Sequence, residues 1–483
     1  EACICYTGDV LTEELNKKNG KPTKFDLDHY ISLAESLVQE GADILAIKDM
    51  AGLLRPHAAT LLIEALRDRL DLPIHLHTHD TAGIQAATLL KASEAGVDIV
   101  DCAFASMSGV TSQPSLEGLV AALEHTERDT GLDREALTPF SHYWETARRY
   151  YEPFESDLKS ATAEVYVNEM PGGQYSNFRP QAASLGLGDR WSETKQAYAV
   201  ADALFGGIVK VTPSSKVVGD LALFMVANDL SKEDVKARAD ELDFPSSVIE
   251  FLQGELGTPY GGFPEKLRQD VLRGKELLDS PPSERLAPAD LEEARKEAAH
   301  ALGRGKADIR DALSYLLYPH VFMDYAEARK RYSNLLVVPT MTYFYGLVEG
   351  EEIEVDIETG KRLIIRLMAI TDARENGLRT VFFELNGQSR SIEVRDQKIA
   401  PDEIGHETAD PDDPKHIAAP LAGALVAIEV GERDEVARDD TLFTLEAMKM
   451  QTAVRSPYDG VIKRVVLPIG TRVEVGDLVL EFE

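Results

Sequence analysis

Three histidines and one lysine stand at the ends of two predicted buried strands, and their spacing is suited to binding a metal. His75, His77 and His79 alternate along the chain, so their side chains share one face of an extended segment. Lys48 ends the preceding apolar strand. A lysine in this place could also pack its stem on apolar surface with its amine in solvent. Imidazole nitrogens, however, commonly bind divalent metals, and the three alternating histidines predict a metal site.

A second distinctive residue is Lys449, in the sequence EAMKM at 446–450. This stretch lies between two similar segments, because PLAG at 420–423 is echoed by PYDG at 457–460, and such repetition indicates one small unit built twice. In the segment 472–482, apolar and polar residues alternate on either side of a Gly-Asp turn, as they do in half-buried strands. EAMKM itself is rich in helix formers and lacks the residues of a tight hairpin. From the residues alone, Lys449 could be an ordinary exposed lysine or lie on a short helix, but such a conflict is also typical of functional sites.

Residues 1 to about 126 alternate short apolar strands with amphipathic helices, which predicts a parallel sheet covered on both faces. The strands are predicted at 2–6, 43–48, 73–77 and 97–104, and the helices at 27–40, 56–70, 83–95 and 115–125. Four such units make half of a (β/α)8 barrel, in which functional groups gather where the strands end. The sequence starts within the first strand and without a methionine, so we expect it to be the C-terminal portion of a longer polypeptide.

The rest of the chain predicts four further regions. Residues 131–305 are mainly helical, with two polar islands at 170–177 (MPGGQYSN) and 208–220 (IVKVTPSSKVVGD) that composition alone assigns to loops or helix caps. Residues 306–400 predict a mixed α+β module, with a helix at 309–319 and strands at 352–357, 362–370, 379–385 and 389–394. An acidic, Pro-rich linker at 401–415 leads to an all-β sandwich at 416–483.

The composition excludes several classes of function. With 51 basic and 83 acidic residues, the net charge of -32 argues against nucleic acid or an anionic membrane as a partner. No long apolar run or signal pattern occurs, so we expect a soluble protein in the cytoplasm. Three cysteines make no disulfide framework, and Cys3 and Cys5 fit one face of a buried strand better than a metal site. Neither 273–275 nor 303–306 has the upstream glycine of a P-loop, so no ATP site is predicted.

The C-terminal region resembles the biotin carrier domains of biotin-dependent carboxylases, because EAMKM stands inside a repeated β unit. In those domains the lysine of the motif carries covalent biotin. The resemblance therefore implies Lys449 as the attachment point and a biotin protein ligase as a partner. Related lipoyl domains usually have Asp-Lys-Ala at this turn, so Met448 and Met450 favour biotin. The long lysine stem would give biotin a flexible arm.

Three other strings resemble the carboxyltransferase barrel of the pyruvate carboxylase family: KDMAGLL at 48–54, HTHDTAG at 77–83 and SMSGVTSQPS at 106–115. The resemblance implies that His77 and His79 hold a divalent metal such as zinc or manganese. It also implies that Lys48 is a ligand in its carbamylated form, since a carbamate is an anionic oxygen donor whereas a protonated amine cannot ligate. The family's remaining ligand, an aspartate, and its keto-acid-binding residues lie in an earlier part of the barrel that this sequence does not contain.

The two polar islands and the 306–400 module resemble the same family. The threonine of VTPSSK, Thr212, is implied as the catalytic residue that moves a proton between the pyruvate methyl group and biotin. Gln174, Ser215 and Lys216 are implied to line the biotin pocket. The strings YFYGL, ETGKRL and FELNGQSR resemble the family's tetramerisation domain, which implies a homotetramer, with acetyl-CoA as a candidate activator.

Together these resemblances imply a multidomain α/β chain. It would consist of a partial barrel at 1–130, a helical extension at 131–305, the tetramerisation domain at 306–400, the linker at 401–415 and the biotin carrier at 416–483. The implied reaction is carboxyl transfer from carboxybiotin to pyruvate, giving oxaloacetate for gluconeogenesis, with ATP and magnesium used only on a missing N-terminal portion. Two alternatives remain open: an oxaloacetate decarboxylase alpha subunit, which tends to have threonine and glutamine in place of Ser215 and Lys216, and a biotin carrier and assembly module without activity of its own.

Overall fold

The computed structural model describes residues 1–156, 158–278, 280, 282–374, 377–396, 406–410, 413–447 and 450–483. The chain forms two compact units, Glu1–Pro281 together with His406–Glu483, and Pro282–Gly405. None of the helices within the described ranges is both long and apolar enough to cross a bilayer.

The first part of the chain forms a four-stranded parallel sheet with its strands in chain order. The strands are β1 (Ala2–Cys5), β2 (Leu45–Asp49), β3 (Ile74–Thr78) and β4 (Ile99–Val100), and the helices are α1 (Val10–Lys18), α2 (Leu27–Gln39), α3 (Pro56–Arg67), α4 (Gln85–Glu94) and α5 (Leu116–Leu123). The predicted alternation is confirmed, with the sheet residues Leu45, Ile47, Ile74 and Leu76 fully buried. Helix α1 was not predicted; the Asp9 side chain caps it by accepting the N–H of Leu11.

The helical extension packs on a second core that is centred on one almost completely buried helix. Its helices are α6 (Arg134–Arg148), α7 (Val165–Asn168), α8 (Gly172–Ser184), α9 (Trp191–Leu204), α10 (Ser214–Ala227), α11 (Lys232–Ala237), α12 (Ser246–Gln253) and α13 (Glu265–Leu272). Helix α10 is the buried one, and its apolar side chains join those of α8 and α9, including Phe178 and Tyr198. Each predicted polar island contains the start of a helix, at Gly172 for α8 and at Ser214 for α10.

The second unit has helices followed by one antiparallel sheet in the order β5-β6-β7-β8. Its elements are α14 (Pro282–Arg285), α15 (Leu291–Ala301), α16 (Ile309–Leu317), α17 (Pro319–Tyr332), α18 (Thr340–Tyr345), β5 (Glu352–Glu358), β6 (Lys361–Ile370), β7 (Leu378–Leu385) and β8 (Gln388–Arg395). The turn between β7 and β8 has Asn386 at φ 48 and Gly387 at φ 79, the positive values that an Asn-Gly hairpin turn requires. The predicted combination of helices with an antiparallel sheet is therefore confirmed, in a unit that begins at Pro282 rather than at residue 306.

The C-terminal region is a sandwich of two four-stranded sheets, in the orders β13-β12-β10-β15 and β11-β14-β16-β9. Its strands are β9 (His416–Ala418), β10 (Gly423–Ile428), β11 (Glu435–Val436), β12 (Thr441–Ala447), β13 (Met450–Arg455), β14 (Gly460–Val465), β15 (Arg472–Val473) and β16 (Leu478–Phe482). Each sheet takes two strands from each half of the repeat, as a unit built twice requires. Within the predicted linker, Glu407 accepts the Leu478 N–H and His406 contacts Asp477, so residues 406 and 407 pack on this sandwich.

Candidate active site

The parallel register brings three chemically active side chains into one row at the strand ends. Cys5 of β1 is aligned with Lys48 of β2, which is aligned with His77 of β3. In parallel strands such partners project on the same face. Lys48 and His77 are both half-buried, so these side chains are partly shielded from solvent.

Asp49, the residue after Lys48, folds the loop that connects β2 to α3. Its side chain is completely buried, and its oxygens accept hydrogen bonds from the backbone N–H groups of residues 52–54 at 2.9–3.0 Å. It also accepts the Thr78 hydroxyl at 2.8 Å, which ties the end of β2 to the end of β3. Burial raises the pKa of this carboxyl, against the opposing effect of these hydrogen bonds. The sequence KDMAGLL is therefore a compact loop that fixes Lys48 beside the histidines.

His77 and His79 direct one nitrogen each toward the other, with 3.3 Å between their Nε2 atoms. His79 Nδ1 lies 2.6 Å from the Thr111 carbonyl oxygen, so this nitrogen must be the one that donates. His77 Nδ1 likewise lies 2.7 Å from the Asp101 carboxylate. Both Nε2 atoms therefore present lone pairs in the neutral rings, and burial favours the neutral form of His79 by lowering its pKa.

Two facing lone pairs repel each other unless a proton or a cation lies between them, and a metal ion fits this arrangement. Two nitrogens that each lie about 2.1 Å from one zinc ion at a tetrahedral angle are roughly 3.4 Å apart, close to the observed separation. Hydrogen bonds at the opposite ring nitrogens are also typical of histidine ligands. Among the described residues, no group of three or more His, Cys, Asp or Glu side chains could hold a metal, so a further ligand must be of another kind, such as Lys48 as its carbamate, or lie outside these residues.

His75, the third alternating histidine, does not join this pair. Its Nδ1 lies 3.0 Å from Glu1 and its Nε2 lies 2.9 Å from Asp101. Asp101 thus contacts both His75 and His77, and although burial would raise the pKa of this carboxyl, the two histidines hold it below its ordinary value. An ionised Asp101 orients the His77 ring. The three-histidine site that alternation alone predicts is therefore reduced to two convergent histidines.

The start of helix α8 closes over the histidine pair. Gly172 donates its N–H to the Met50 carbonyl at 2.8 Å, and a Cβ at this glycine would lie only 3.0 Å from both His79 Nδ1 and the Thr111 carbonyl oxygen. Ser176, one turn later, contacts the Thr111 hydroxyl at 2.9 Å. The glycine in MPGGQYSN therefore permits the close approach of α8 to the barrel.

Helices α8 and α10 carry the three predicted pocket residues, Gln174 on α8 and Ser215 and Lys216 on α10. A Cβ at Gly219 of α10 would lie 2.7 Å from Gln174 Nε2, so Gln174 lies directly against that glycine. Ser215 is buried and Lys216 is half-buried at the start of α10, where Lys216 Nζ contacts Asp220 Oδ2 at 2.6 Å. Thr212 is exposed in the loop just before α10.

The sandwich contacts this same helical region. Lys449 and Met448 lie outside the described residues, but the strands that flank them, β12 and β13, are paired with Ala447 opposite Met450. Two residues after Lys449, the Gln451 carbonyl accepts a hydrogen bond from Ser246 of α12 at 3.2 Å. A cavity of about 540 Å³ separates the two surfaces beside this contact. The end of the β12–β13 pair therefore lies against α12, which packs on α10.

Sequence reasoning found the histidines, Lys48 and the two polar islands but missed the acids that position them. Asp49, Asp101 and Asp220 each stand alone within or beside an apolar segment. The only signal for them was a charged residue in a place where burial was expected. The Thr111 carbonyl left no signal, because every residue has one.

Three family profiles match successive parts of the chain. Residues 12–143 match the family described as HMGL-like, residues 165–366 the conserved carboxylase domain, and residues 415–482 the biotin-requiring enzyme domain. The sandwich is therefore a carrier domain of the biotin-requiring type.

Whole-chain relatives and solved structures agree with these profiles. The chain is 46% identical over 483 residues to the pyruvate carboxylase of Bacillus subtilis and 45% identical over 486 residues to the mitochondrial pyruvate carboxylase of Mus musculus, and it spans 41% of the length of each. A structure of the carboxyl transferase domain of Rhizobium etli pyruvate carboxylase with pyruvate and biocytin is 51% identical, with a TM-score of 0.73 over 82% of this chain and 66% of that one. The chain belongs to the pyruvate carboxylase family and corresponds to the C-terminal portion of its members.

Proposed function

We propose that this chain carries out carboxyl transfer from carboxybiotin to pyruvate, giving oxaloacetate, as part of a biotin-dependent pyruvate carboxylase. The observation that carries the proposal is the convergence of His77 and His79, whose Nε2 atoms lie 3.3 Å apart at the end of a parallel sheet. A carrier domain of the biotin-requiring type packs nearby, on α12.

His77, His79 and carbamylated Lys48 are proposed to hold a divalent metal such as zinc or manganese. When bound, the metal would supply positive charge that stabilises negative charge developing on the keto acid. The protein's part is orientation: Asp101 and the Thr111 carbonyl fix the two imidazole rings, and the buried Asp49 loop holds Lys48 in line with them.

Thr212, Gln174, Ser215 and Lys216 are proposed to serve the transfer itself. The pyruvate methyl group must lose one proton and gain one carboxyl group, and the biotin nitrogen undergoes the reverse exchange. The exposed Thr212 hydroxyl would carry that proton, because a hydroxyl can accept one proton while it donates another. Gln174, Ser215 and Lys216 would bind the polar edge of biotin from α8 and α10.

Biotin is proposed to be attached to Lys449 by a biotin protein ligase. Lys449→Arg should abolish avidin-detectable biotin after expression with the ligase, because arginine keeps the charge but not the reactive amine. Label retained in this variant would remove Lys449 from the role.

Assembly, regulation and location extend the proposal. The unit Pro282–Gly405 exposes large apolar side chains such as Leu336 at 92% and Val348 at 73%, which favours contact with other copies in a homotetramer. Acetyl-CoA as activator and a cytoplasmic location stay predictions; one relative is named mitochondrial. ATP- and magnesium-dependent carboxylation of biotin is assigned to the part of the family's length that this chain does not span.

The proton role is tested by Thr212→Ala and Thr212→Ser in the chain joined to its upstream segment. Thr212→Ala should spare carboxylation of biotin yet stop oxaloacetate formation, and Thr212→Ser should restore part of the activity because it keeps the hydroxyl. Near-normal transfer by the alanine variant would exclude the shuttle.

A second candidate, a carrier and assembly module without activity of its own, is favoured by one observation. The described residues supply only two convergent metal ligands of the usual types. Carboxyl transfer should be measured with the chain alone and with the upstream segment supplied. Activity of the chain alone would eliminate this second candidate, whereas activity only in the presence of the segment would support a divided active site.

A further inference from the structure

Asp220 is a buried carboxylate in the middle of an otherwise apolar helix. Its exposure is 1%, and its neighbours on α10, Val218 and Leu221, are equally buried. Taking a charge out of water is costly, and replacing a buried ion pair with apolar residues is often neutral or stabilising. Packing alone therefore gives no reason for an acid in this place, and its contacts must supply one.

One oxygen of Asp220 holds side chains from two helices. Oδ2 accepts a hydrogen bond from Lys216 Nζ at 2.6 Å and one from Ser247 Oγ at 2.5 Å. The Lys216 side chain is 39% exposed, so without this contact its four-carbon stem would sample several rotamers. Asp220 therefore restricts the amine to one place, one helical turn from its own position.

The helix that supplies Ser247 is also the helix that contacts the carrier domain. Ser246 of α12 donates to the Gln451 carbonyl at 3.2 Å, and Asp243, just before α12, lies 3.8 Å from Arg455 of the carrier. Adjacent serines thus face in two directions, Ser246 toward the carrier and Ser247 toward Asp220. A chain of contacts through Ser246, Ser247 and Asp220 therefore connects the carrier to the Lys216 amine.

We infer that Asp220 is a positioning residue, which holds the Lys216 amine for biotin and, through Ser247, links that orientation to the helix on which the carrier docks. The inference rests on the proposed function, because it assigns Lys216 to the biotin pocket. It identifies the acid and the two serines as the parts that join docking to binding.

The first test is independent of activity. In Asp220→Asn the Lys216 amine loses its ion pair, so a water-soluble acylating reagent should modify it about three to ten times faster, as measured by mass spectrometry of the peptide that contains Lys216. Ser247→Ala, which leaves the ion pair in place, should give a smaller increase. Ser36→Ala, at an exposed serine of α2, should leave the rate unchanged.

The second test uses free biotin as carboxyl acceptor and oxaloacetate as donor, with the chain joined to its upstream segment. In Asp220→Asn the KM for free biotin should rise about tenfold, whereas the KM for oxaloacetate should stay within about twofold. Ser36→Ala, at an exposed serine of α2, should leave both constants unchanged. Ser246→Ala should slow transfer from carrier-bound biotin, because it removes the hydrogen bond to the Gln451 carbonyl.

The outcomes separate the inference from the proposed function. An unchanged labelling rate and an unchanged KM for biotin in Asp220→Asn would overturn the inference even if the wild-type protein is active. Absence of any biotin-dependent transfer in the wild-type protein would refute the proposed function, while the labelling rates would still decide whether Asp220 holds Lys216. If Asp220→Asn does not fold, Ser247→Ala takes its place, and wild-type values for both quantities would again overturn the inference.

Discussion

Lys210 offers the most demanding test of how the candidate site is built. It lies two residues before Thr212 and is 2% exposed. Its amine contacts Glu169 and Asp202 at 3.0 Å each and donates to the Ile208 carbonyl at 3.2 Å. Glu169 has a left-handed backbone, with φ 52, and stands just before the segment that closes over His79. Lys210 thus fastens the loop before α10 to the loop before α8.

The substitution Lys210→Met keeps the length of the side chain and removes its charge. Glu169 and Asp202 then lose their common counterion, and breaking a buried ion pair in this way costs about 3–5 kcal/mol. The two carboxylates keep 28% and 16% of their side-chain exposure, so water can partly compensate. We therefore expect a loss at the lower end of this range, about 3 kcal/mol in the free energy of unfolding. This corresponds to a fall of roughly 6–12 °C in the unfolding midpoint of a domain of this size.

Differential scanning calorimetry of the full chain measures this midpoint. The transition of the helical extension should shift, and that of the carrier domain should stay in place. Lys266→Met is the matched control, because Lys266 contacts Asp270 at 2.7 Å with 84% of its side chain exposed, and exposed pairs of this kind contribute little. A midpoint within 1–2 °C of wild type (about 0.5 kcal/mol) for Lys210→Met would refute the reasoning. Adding Asp202→Asn should recover part of the loss, since it removes one unpaired charge.

Three further predictions concern single contacts. Hydrogen bonds from Lys463 and Arg464 lower the pKa of Glu481 from 4.5 to about 2. The stabilisation that ionised Glu481 gives the carrier domain is therefore complete above pH 4.5 and is lost as the pH falls to about 2. The thermal unfolding midpoint of the carrier domain should fall over this pH range in wild type, and Glu481→Gln should abolish that pH dependence. Asp101→Asn should weaken metal binding about 10- to 100-fold by releasing the His77 ring, as measured by competition with a chelator, and unchanged affinity would contradict the assigned orientation. Gly52→Ala should reduce the free energy of unfolding by at least about 2 kcal/mol and so lower the unfolding midpoint. Gly52 has φ 76, and a Cβ there would lie 2.2 Å from the His79 carbonyl oxygen. The same substitution at Gly173, where a Cβ would meet open space, should not lower the midpoint.

The sequence was sufficient for features that repeat along the chain. Alternating apolar runs located all four barrel strands, and the strands of the second unit followed from alternation and the Asn386–Gly387 turn. Alternation also placed His77 and His79 on one face. It could not show that His75 turns away from this pair. His75 contacts Asp101, which follows the next strand and also contacts His77.

Contacts between distant segments were beyond sequence reasoning for a physical reason. Composition assigned 170–177 to a loop or cap, since glycine and proline disfavour helices, yet Gly172 begins α8 because only a residue without a Cβ fits against His79 and the Thr111 carbonyl. The same holds for Asp220, whose partner Ser247 is 27 residues away. Neither requirement leaves a periodic pattern in the sequence.

The described residues of the EAMKM segment, 446, 447 and 450, lie in strands, so tertiary packing outweighs their local preference for helix. Helix formers in place of strand formers cost at most about 1 kcal/mol per residue on measured scales, and usually less. Strand β12 buries Leu442, Phe443 and Leu445 completely, and each such side chain contributes about 1.5–3 kcal/mol. Pairing with β13 continues to the last described residues on either side, where Glu446 accepts the Gln451 side-chain N–H at 2.8 Å. A helical composition at 446–450 is therefore no argument against a carrier-type lysine, because three buried side chains on one strand already exceed what the whole motif could gain as a helix.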